Sequence, residues 1–199
     1  MTDDDARRDL AFIRQVIDEG RGYAAMGGGH LVIWGGLVGL AALAEYAGYA
    51  GVLPSKPGLV WGSIYAIGWI ASIALGVIDD QRAKVKSFAT RLMPMLWLAA
   101  GISLTSLYLG ARLLEAPIAV VMPAPAAVTM GLVFFVSSFL CGHTWLRWIA
   151  LGWWLAGPLL LSLRQDSSIL LVVAALNLGL LALPGLVLLR RPMPAAATA

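Results

Sequence analysis

Cysteine, histidine and charged residues are scarce in this chain. Its 199 residues include one cysteine, two histidines and only 13% charged residues, about half the share found in an ordinary soluble domain. A single cysteine, Cys141, excludes an intramolecular disulfide. Motifs such as Gly-x-Ser-x-Gly and His-Glu-x-x-His are missing from the sequence, which leaves no hydrolase signature of these kinds. We therefore assign no catalytic residue and no cofactor, and the sequence favours a protein that is not an enzyme.

Apolar residues, in contrast, make up 60% of the chain. They form six long stretches, at about 29–50, 58–78, 93–112, 124–141, 144–163 and 168–189. A helix needs about 20 apolar residues, at about 1.5 Å each, to cross about 30 Å of hydrocarbon. The stretches are continuous rather than alternating, which favours helices over barrel strands. We predict an all-α polytopic membrane protein with a six-helix transmembrane bundle in residues 27–191 and a flexible cytosolic tail in 192–199.

The distribution of lysine and arginine predicts the orientation of these spans. If the N-terminus lies in the cytoplasm, only Lys56, Arg112 and Arg164 of the 14 basic residues fall outside. Six spans bring both termini to the same side, so we predict N-in and C-in in a bacterial-type inner membrane. The formal net charge of +3 is then a topogenic signal, and the chain carries no motif for binding nucleic acid.

Residues 1–26 are predicted to form a cytosolic amphipathic helix that ends in a glycine hinge around 27–29. Its first twenty residues hold six acids against three arginines, a balance that disfavours anionic lipid. The helix could fold back on the basic ends of the spans, bind a partner protein or second subunit, or lie on the membrane. The residues predicted to bind a partner form its apolar stripe: Leu10, Phe12, Ile13, Val16 and Ile17.

Small residues recur every four positions within three of the spans. Such spacing lets helix backbones approach closely in lipid, so it predicts tight packing within the bundle or between copies of the chain. The residues are Gly35 and Gly39 in the first span, Gly68, Ser72 and Gly76 in the second, and Ala99 and Ser103 in the third.

The positions of proline and tryptophan add detail to the predicted topology at the outer side of the membrane. Pro123 and Pro125 lack backbone donors and disfavour helix before them, so they predict the start of the fourth span. Residues 113–122 then form an outer-surface segment. Trp61 is predicted to lie in an aromatic belt at the membrane interface.

Two polar residues lie inside predicted spans, where a charged or unsatisfied group is costly. Glu45 lies near the outer end of the first span and could pair with Arg112 or Arg164, bind a ligand or carry protons. Asn177 lies near the middle of the last span. We expect its amide to bond across to another helix, with substrate binding as the alternative.

His30, Cys141 and His143 are weak candidates for a metal or haem site at the cytoplasmic side, because no fourth ligand lies near them in sequence. The sequence favours a non-catalytic accessory, scaffold or regulatory subunit that binds a partner protein or self-associates in the lipid bilayer. The alternative is a small transporter or channel with Glu45 and Asn177 in its path. A metal- or haem-binding membrane protein is the third hypothesis.

Overall fold

The computed structural model describes residues 28–54, 56–82, 88–163 and 166–190, and every regular element in these ranges is helical. The predicted N-terminal helix with its apolar stripe and the predicted tail at 192–199 lie outside the described residues. The elements are α1 (Gly28–Tyr49), α2 (Pro57–Arg82), α3 (Phe88–Leu113), α4 (Ile118–Val121), α5 (Pro123–Leu140), α6 (Leu146–Ser162), α7 (Ile169–Asn177), a π-helical turn (Leu178–Ala182) and α8 (Leu183–Arg190). The prediction of an all-α fold is confirmed.

Five of the spans are long and apolar enough to cross a bilayer. The remaining span, Leu146–Ser162, is the fifth in chain order. It is a shorter apolar helix of 17 residues, about 26 Å long at 1.5 Å per residue. Leucine, isoleucine and valine side chains are exposed along the outside of the helices, as expected where lipid is the solvent. The chain is therefore a polytopic helical membrane protein. We call the end where α1 and α3 finish the Glu45 end, and the end where α1 begins the His30 end.

α1 is the central helix, since it packs against α2 and against the last span, which is built from α7, the π turn and α8. Glycine makes the second contact close. A Cβ added at Gly35 would lie 2.5 Å from the Ala182 nitrogen, and one at Gly39 would lie 2.8 Å from Leu178 Cγ. The predicted close packing through Gly35 and Gly39 is confirmed.

Two of the three glycines of the predicted hinge at 27–29 lie within the described part of α1. α1 begins at Gly28, so Gly28 and Gly29 lie in its first turn. A Cβ at Gly28 would lie 2.7 Å from the Gly185 carbonyl oxygen. Gly28 therefore serves close helix packing, while Gly27 lies outside the described residues and the hinge stays a prediction.

α5 and α6 form a tightly packed antiparallel hairpin that contains much of the main core. The Trp154 ring rests directly on Gly131, where any side chain would overlap it. Phe134, fully buried on α5, receives the edge of Trp97 from α3 at a ring separation of 5.6 Å. The Ser137 hydroxyl completes this contact by donating to the Met93 sulfur.

The last span changes its helical register just before Pro184. Pro184 has no N–H to bond the Leu180 carbonyl in a regular α-helix, and residues 178–182 form a π turn there. Trp153 Nε1 of α6 donates to the Leu180 carbonyl over 3.4 Å. Such π turns arise where a regular ladder is interrupted, and here the interruption also gives α6 a polar contact with the last span.

α2 docks onto α1 and α3 through a stripe of aromatic residues spaced four apart. Trp34 of α1 lies against Gly68 and donates to the Ser72 hydroxyl at 2.8 Å. Trp69 donates to the Thr105 hydroxyl at 3.1 Å. The indole N–H groups of Trp34 and Trp69 thus find hydroxyl partners between the helices, which offsets the cost of removing these donors from water.

Candidate functional site

A pocket of about 180 Å³ opens at the Glu45 end, where α1 and α3 finish and α2 begins. Glu45 and Trp61 at its base are buried, whereas Tyr49, Pro57 and Arg112 are exposed. The remaining lining comes from the first turn of α2 and the connection after α3. The full lining consists of Glu45, Tyr49, Pro57, Gly58, Trp61, Arg112, Ala116, Pro117 and Ile118.

The turn after α3 brings the last three of these residues into place. The N–H of Ala116 donates back to the Ala111 carbonyl at 2.8 Å, the bond that closes a helix in a Schellman motif. Glu115 at the turn has a φ of +52°, a conformation that usually belongs to glycine. The chain therefore reverses abruptly, and Ala116, Pro117 and Ile118 close one side of the pocket.

Glu45 is the buried charge-bearing residue of the site, with only 4% of its surface exposed. One of its carboxylate oxygens accepts a hydrogen bond from the indole N–H of Trp61. Trp61 lies one turn into α2, so this bond fixes the start of α2 against the end of α1. A donor at this position offsets part of the cost of removing the carboxylate from water.

Arg112 brings a positive charge to the same pocket from α3. Its guanidinium lies over Gly58, where an added Cβ would be 3.3 Å from one terminal nitrogen and 3.5 Å from the other. Among the described residues Glu45 and Arg112 do not come within the 4.0 Å of a salt bridge. The structure thus places the two predicted partners in one pocket without a direct ion pair, and Arg164 lies outside the described ranges.

An apolar and aromatic layer lies beneath the pocket. Trp61 packs there with Ala41, Tyr108 and Met122, all 8% exposed or less. One turn deeper than Trp61, the ring of Tyr65 stacks on Tyr108 with centroids 4.4 Å apart and planes 21° apart. The layer separates the pocket from the deeper part of the bundle.

Asn177 does not take part in this site, and no hydrogen bond joins its side chain to another helix among the described residues. Its amide donates to the Val173 carbonyl of its own helix at 2.8 Å. The reason lies in the neighbouring helix: α1 presents Gly35 and Gly39 to this part of the last span, and glycine has no polar side chain. Among the described residues, Asn177 does not line the Glu45 pocket.

The three weak metal candidates are also not brought together. His30 Nε2 lies 3.1 Å from the Ser72 carbonyl and must donate to it, because a carbonyl only accepts. Cys141 is buried at the end of α5. Within the described ranges no group of three His, Cys, Asp or Glu residues could hold a metal ion, so the described geometry provides no ligand set around them.

A second depression lies along α3, on the side away from the aromatic stripe. It encloses about 470 Å³ next to the small residues Ser103, Ser106 and Gly110. Ser103 and Ser106 are exposed there, and the Ser103 hydroxyl donates to the Ala99 carbonyl of its own helix at 2.8 Å. The small residues of the third span, Ala99 and Ser103, are therefore exposed on the outside of α3, whereas Gly35 and Gly39 of α1 are buried against the last span.

Sequence reasoning found Glu45 and Arg112 but missed the residues that join them. Trp61 was assigned to an interfacial belt, and Gly58 was not singled out. The signal that could have found Trp61 is the recurrence of Trp61, Tyr65 and Trp69 at every fourth position, which places all three on one face of a helix. Nothing in the sequence marks Pro117 or Ile118, which lie at the start of α4, as pocket lining.

Comparisons with protein-family models, curated protein sequences and solved structures find no match for this chain. Its function is therefore argued from the site itself. The lining combines one carboxylate, one guanidinium and two aromatic rings. Such a set can contact a small polar group through both charge and aromatic surface.

Proposed function

We propose that this chain is a non-catalytic accessory or regulatory membrane protein that binds a small polar group in the Glu45 pocket. The observation that supports this function is the burial of Glu45 beside a cavity that also contains Arg112. A charged residue at the centre of a membrane span costs about 2.5–3.5 kcal/mol on insertion scales, and ionisable residues within spans commonly serve function. A structural role for Glu45 would not by itself require the adjacent cavity.

The layer beneath the pocket favours binding over transport. A path for a substrate would have to pass the Tyr65 and Tyr108 rings, which are stacked at 4.4 Å. Asn177, the other residue of the hypothetical path, bonds within its own helix. A transporter or channel that uses Glu45 and Asn177 remains the alternative, and it requires this aromatic layer to open.

The basic residues support a pocket that faces away from the cytoplasm. In an inner membrane with both termini cytoplasmic, eleven of the 14 Lys and Arg residues lie inside, in accordance with the positive-inside rule. Arg112 then lies at the outer surface together with Glu45. The group that binds there would reach the pocket from outside the cell membrane or from the outer leaflet.

A pair of cysteine variants tests this pocket. In a Cys141→Ala background we expect Ala116→Cys, in the pocket wall, to react with a membrane-impermeant maleimide in spheroplasts. Ala41→Cys, in the layer beneath and 1% exposed, should react neither in spheroplasts nor in inverted vesicles, because water does not reach it. The measurement is the fraction of each variant labelled, read by mass shift.

The two variants are matched controls, since each replaces an alanine by the same thiol in the same background. Labelling of Ala41→Cys would reveal a water-filled path through the aromatic layer and support the transporter. Labelling of Ala116→Cys in inverted vesicles only would place the pocket on the cytoplasmic side and contradict the proposed orientation.

The groove on α3 favours a second candidate function, the association of this chain with another transmembrane helix. Ser103, Ser106 and Gly110 let a second backbone approach closely, and serine hydroxyls form interhelical hydrogen bonds in lipid. The groove of about 470 Å³ next to them gives such a helix a surface to contact. A second copy of the chain or a partner subunit would occupy it.

Crosslinking tests this second function. In the Cys141→Ala background we expect Ser106→Cys to form a disulfide dimer, or a bismaleimide adduct with a partner, in native membranes. Ala74→Cys is the matched control, because Ala74 is exposed on α2 and lies outside the groove. Equal crosslinking of the two variants would indicate random collision and argue against a specific helix contact.

A further inference from the structure

The two charges of the Glu45 pocket come from different helices and leave space between them. Glu45 lies in the last turn or so of α1 and Arg112 lies in the last turn of α3, yet the described structure places them beyond the 4.0 Å of a salt bridge. Opposite charges at low dielectric attract strongly, and an unpaired buried charge is costly. A molecule that fits between the carboxylate and the guanidinium could satisfy both.

The Glu45 side of the pocket suits an ammonium group. Trp61 donates to one carboxylate oxygen, which orients the side chain and leaves the other oxygen with no hydrogen bond from any described residue. Tyr49 and Trp61 add two aromatic rings to the lining, and the faces of such rings attract cations. A carboxylate with aromatic neighbours is the chemistry that recognises an alkylammonium ion.

The Arg112 side suits an anion. The guanidinium lies over Gly58 and has five N–H donors that match the oxygens of a phosphate or carboxylate. Gly58 also belongs to the first turn of α2, where the helix dipole adds partial positive charge. The absence of a side chain at Gly58 leaves room for the arginine to lie there.

We infer that this pocket binds a zwitterionic group, with the ammonium against Glu45 and the phosphate or carboxylate against Arg112. The inference rests on the proposed binding function and names the class of ligand. The volume of about 180 Å³ is below the 300–1,000 Å³ of pockets for drug-sized molecules, and it corresponds to roughly six waters. A group of that size is a phosphoethanolamine headgroup of a lipid or a small soluble zwitterion.

Ligands of a single charge fit this pocket less well. An anion held by Arg112 would meet the Glu45 carboxylate, and a cation held by Glu45 would meet the guanidinium. Each case places like charges in a small, partly buried volume. The pocket should therefore select against lipids with anionic headgroups, which also surround a bacterial-type membrane protein.

Native mass spectrometry of the full wild-type chain tests this selection. The protein is equilibrated in detergent with equal amounts of phosphatidylethanolamine and phosphatidylglycerol that carry identical acyl chains. We expect phosphatidylethanolamine to be retained about 10-fold over phosphatidylglycerol, the size of effect of one charged hydrogen bond. In parallel, calorimetric titration with soluble O-phosphoethanolamine asks whether the zwitterion is recognised without acyl chains.

Three variants connect the selection to the pocket. Glu45→Gln keeps an acceptor for Trp61 and should bring the ratio of the two lipids to about one. Arg112→Gln should reduce retention of both lipids. Glu115→Gln is the matched control, since it neutralises an exposed acid at the same end that does not line the pocket, and it should leave the ratio unchanged.

The outcomes separate this inference from the function on which it rests. Binding of O-phosphoethanolamine with the same dependence on Glu45, without lipid selection, supports a soluble zwitterion as the source. Equal retention of both lipids by the wild-type chain, together with no binding of O-phosphoethanolamine, overturns the zwitterion. The proposed function is overturned instead by labelling of Ala41→Cys, which would support the transporter and which measures water access and not ligand class.

Discussion

Replacing Gly35 by leucine is expected to lower the free energy of unfolding by at least about 3 kcal/mol, the upper end of overpacking costs. A Cβ at this position would lie 2.5 Å from the Ala182 nitrogen and 2.7 Å from the Asn177 carbonyl oxygen. Both atoms belong to backbone, which cannot rotate away as a side chain can. α1 would have to separate from the last span, and their contact is central to the bundle.

Gly36 provides a matched control on the same helix. A Cβ added there meets nothing within 4 Å, and leucine has a better helix propensity than glycine by up to about 1 kcal/mol. We expect Gly36→Leu to leave stability within about 1 kcal/mol of the wild type. Unfolding by sodium dodecyl sulfate, followed by tryptophan fluorescence in micelles, measures both variants, and equal effects would show that the close packing at Gly35 is not decisive.

Much of this architecture could be predicted because lipid simplifies the relation between sequence and fold. Any stretch that satisfies its own backbone and is apolar for about 20 residues becomes a helix. The described helices accordingly match the predicted stretches to within a few residues for four spans, and α2 and α3 extend beyond them by up to five. The glycines of α1 were also interpretable, because close packing needs small residues at regular spacing.

The partners of individual polar groups could not be predicted in the same way. Asn177 was expected to bond to another helix, but the rotation of α1 turns Gly35 and Gly39 toward it. That rotation depends on the packing of all neighbouring helices and is not encoded in the last span alone. For the same reason Trp61 was placed at an interface by its depth, while its actual partner depends on the angle between α1 and α2.

The candidate site could be predicted from the sequence only in part. Burial of an acid in a span identifies Glu45 from the sequence, and the level of Arg112 follows from counting residues. The pocket between them depends on the reversal at Glu115, a residue with φ of +52° where glycine would be the expected signal. Its lining by Ala116, Pro117 and Ile118 therefore became evident only in three dimensions.

Replacing Trp61 by phenylalanine is expected to cost about 2–4 kcal/mol of stability, because it leaves the buried Glu45 carboxylate without its donor and also reduces the packed volume. Trp69→Phe is the matched control. It makes the same truncation two four-residue repeats further along the same face of α2, but the bond that it removes goes to the neutral Thr105 hydroxyl. A bond between neutral groups contributes about 0.5–1.5 kcal/mol, so Trp69→Phe should cost less.

A double-mutant cycle decides whether the charge on Glu45 is responsible for this difference. In a Glu45→Gln background the acceptor is neutral, so the cost of Trp61→Phe should fall toward that of Trp69→Phe, with a coupling energy of about 1–3 kcal/mol. Unfolding in sodium dodecyl sulfate measures all four corners of the cycle. If Trp61→Phe costs the same in both backgrounds, the bond contributes only as packing. Glu45 would then lack the charge-assisted contact that orients its carboxylate toward the pocket, and this side of the pocket would have no fixed acceptor for an ammonium group.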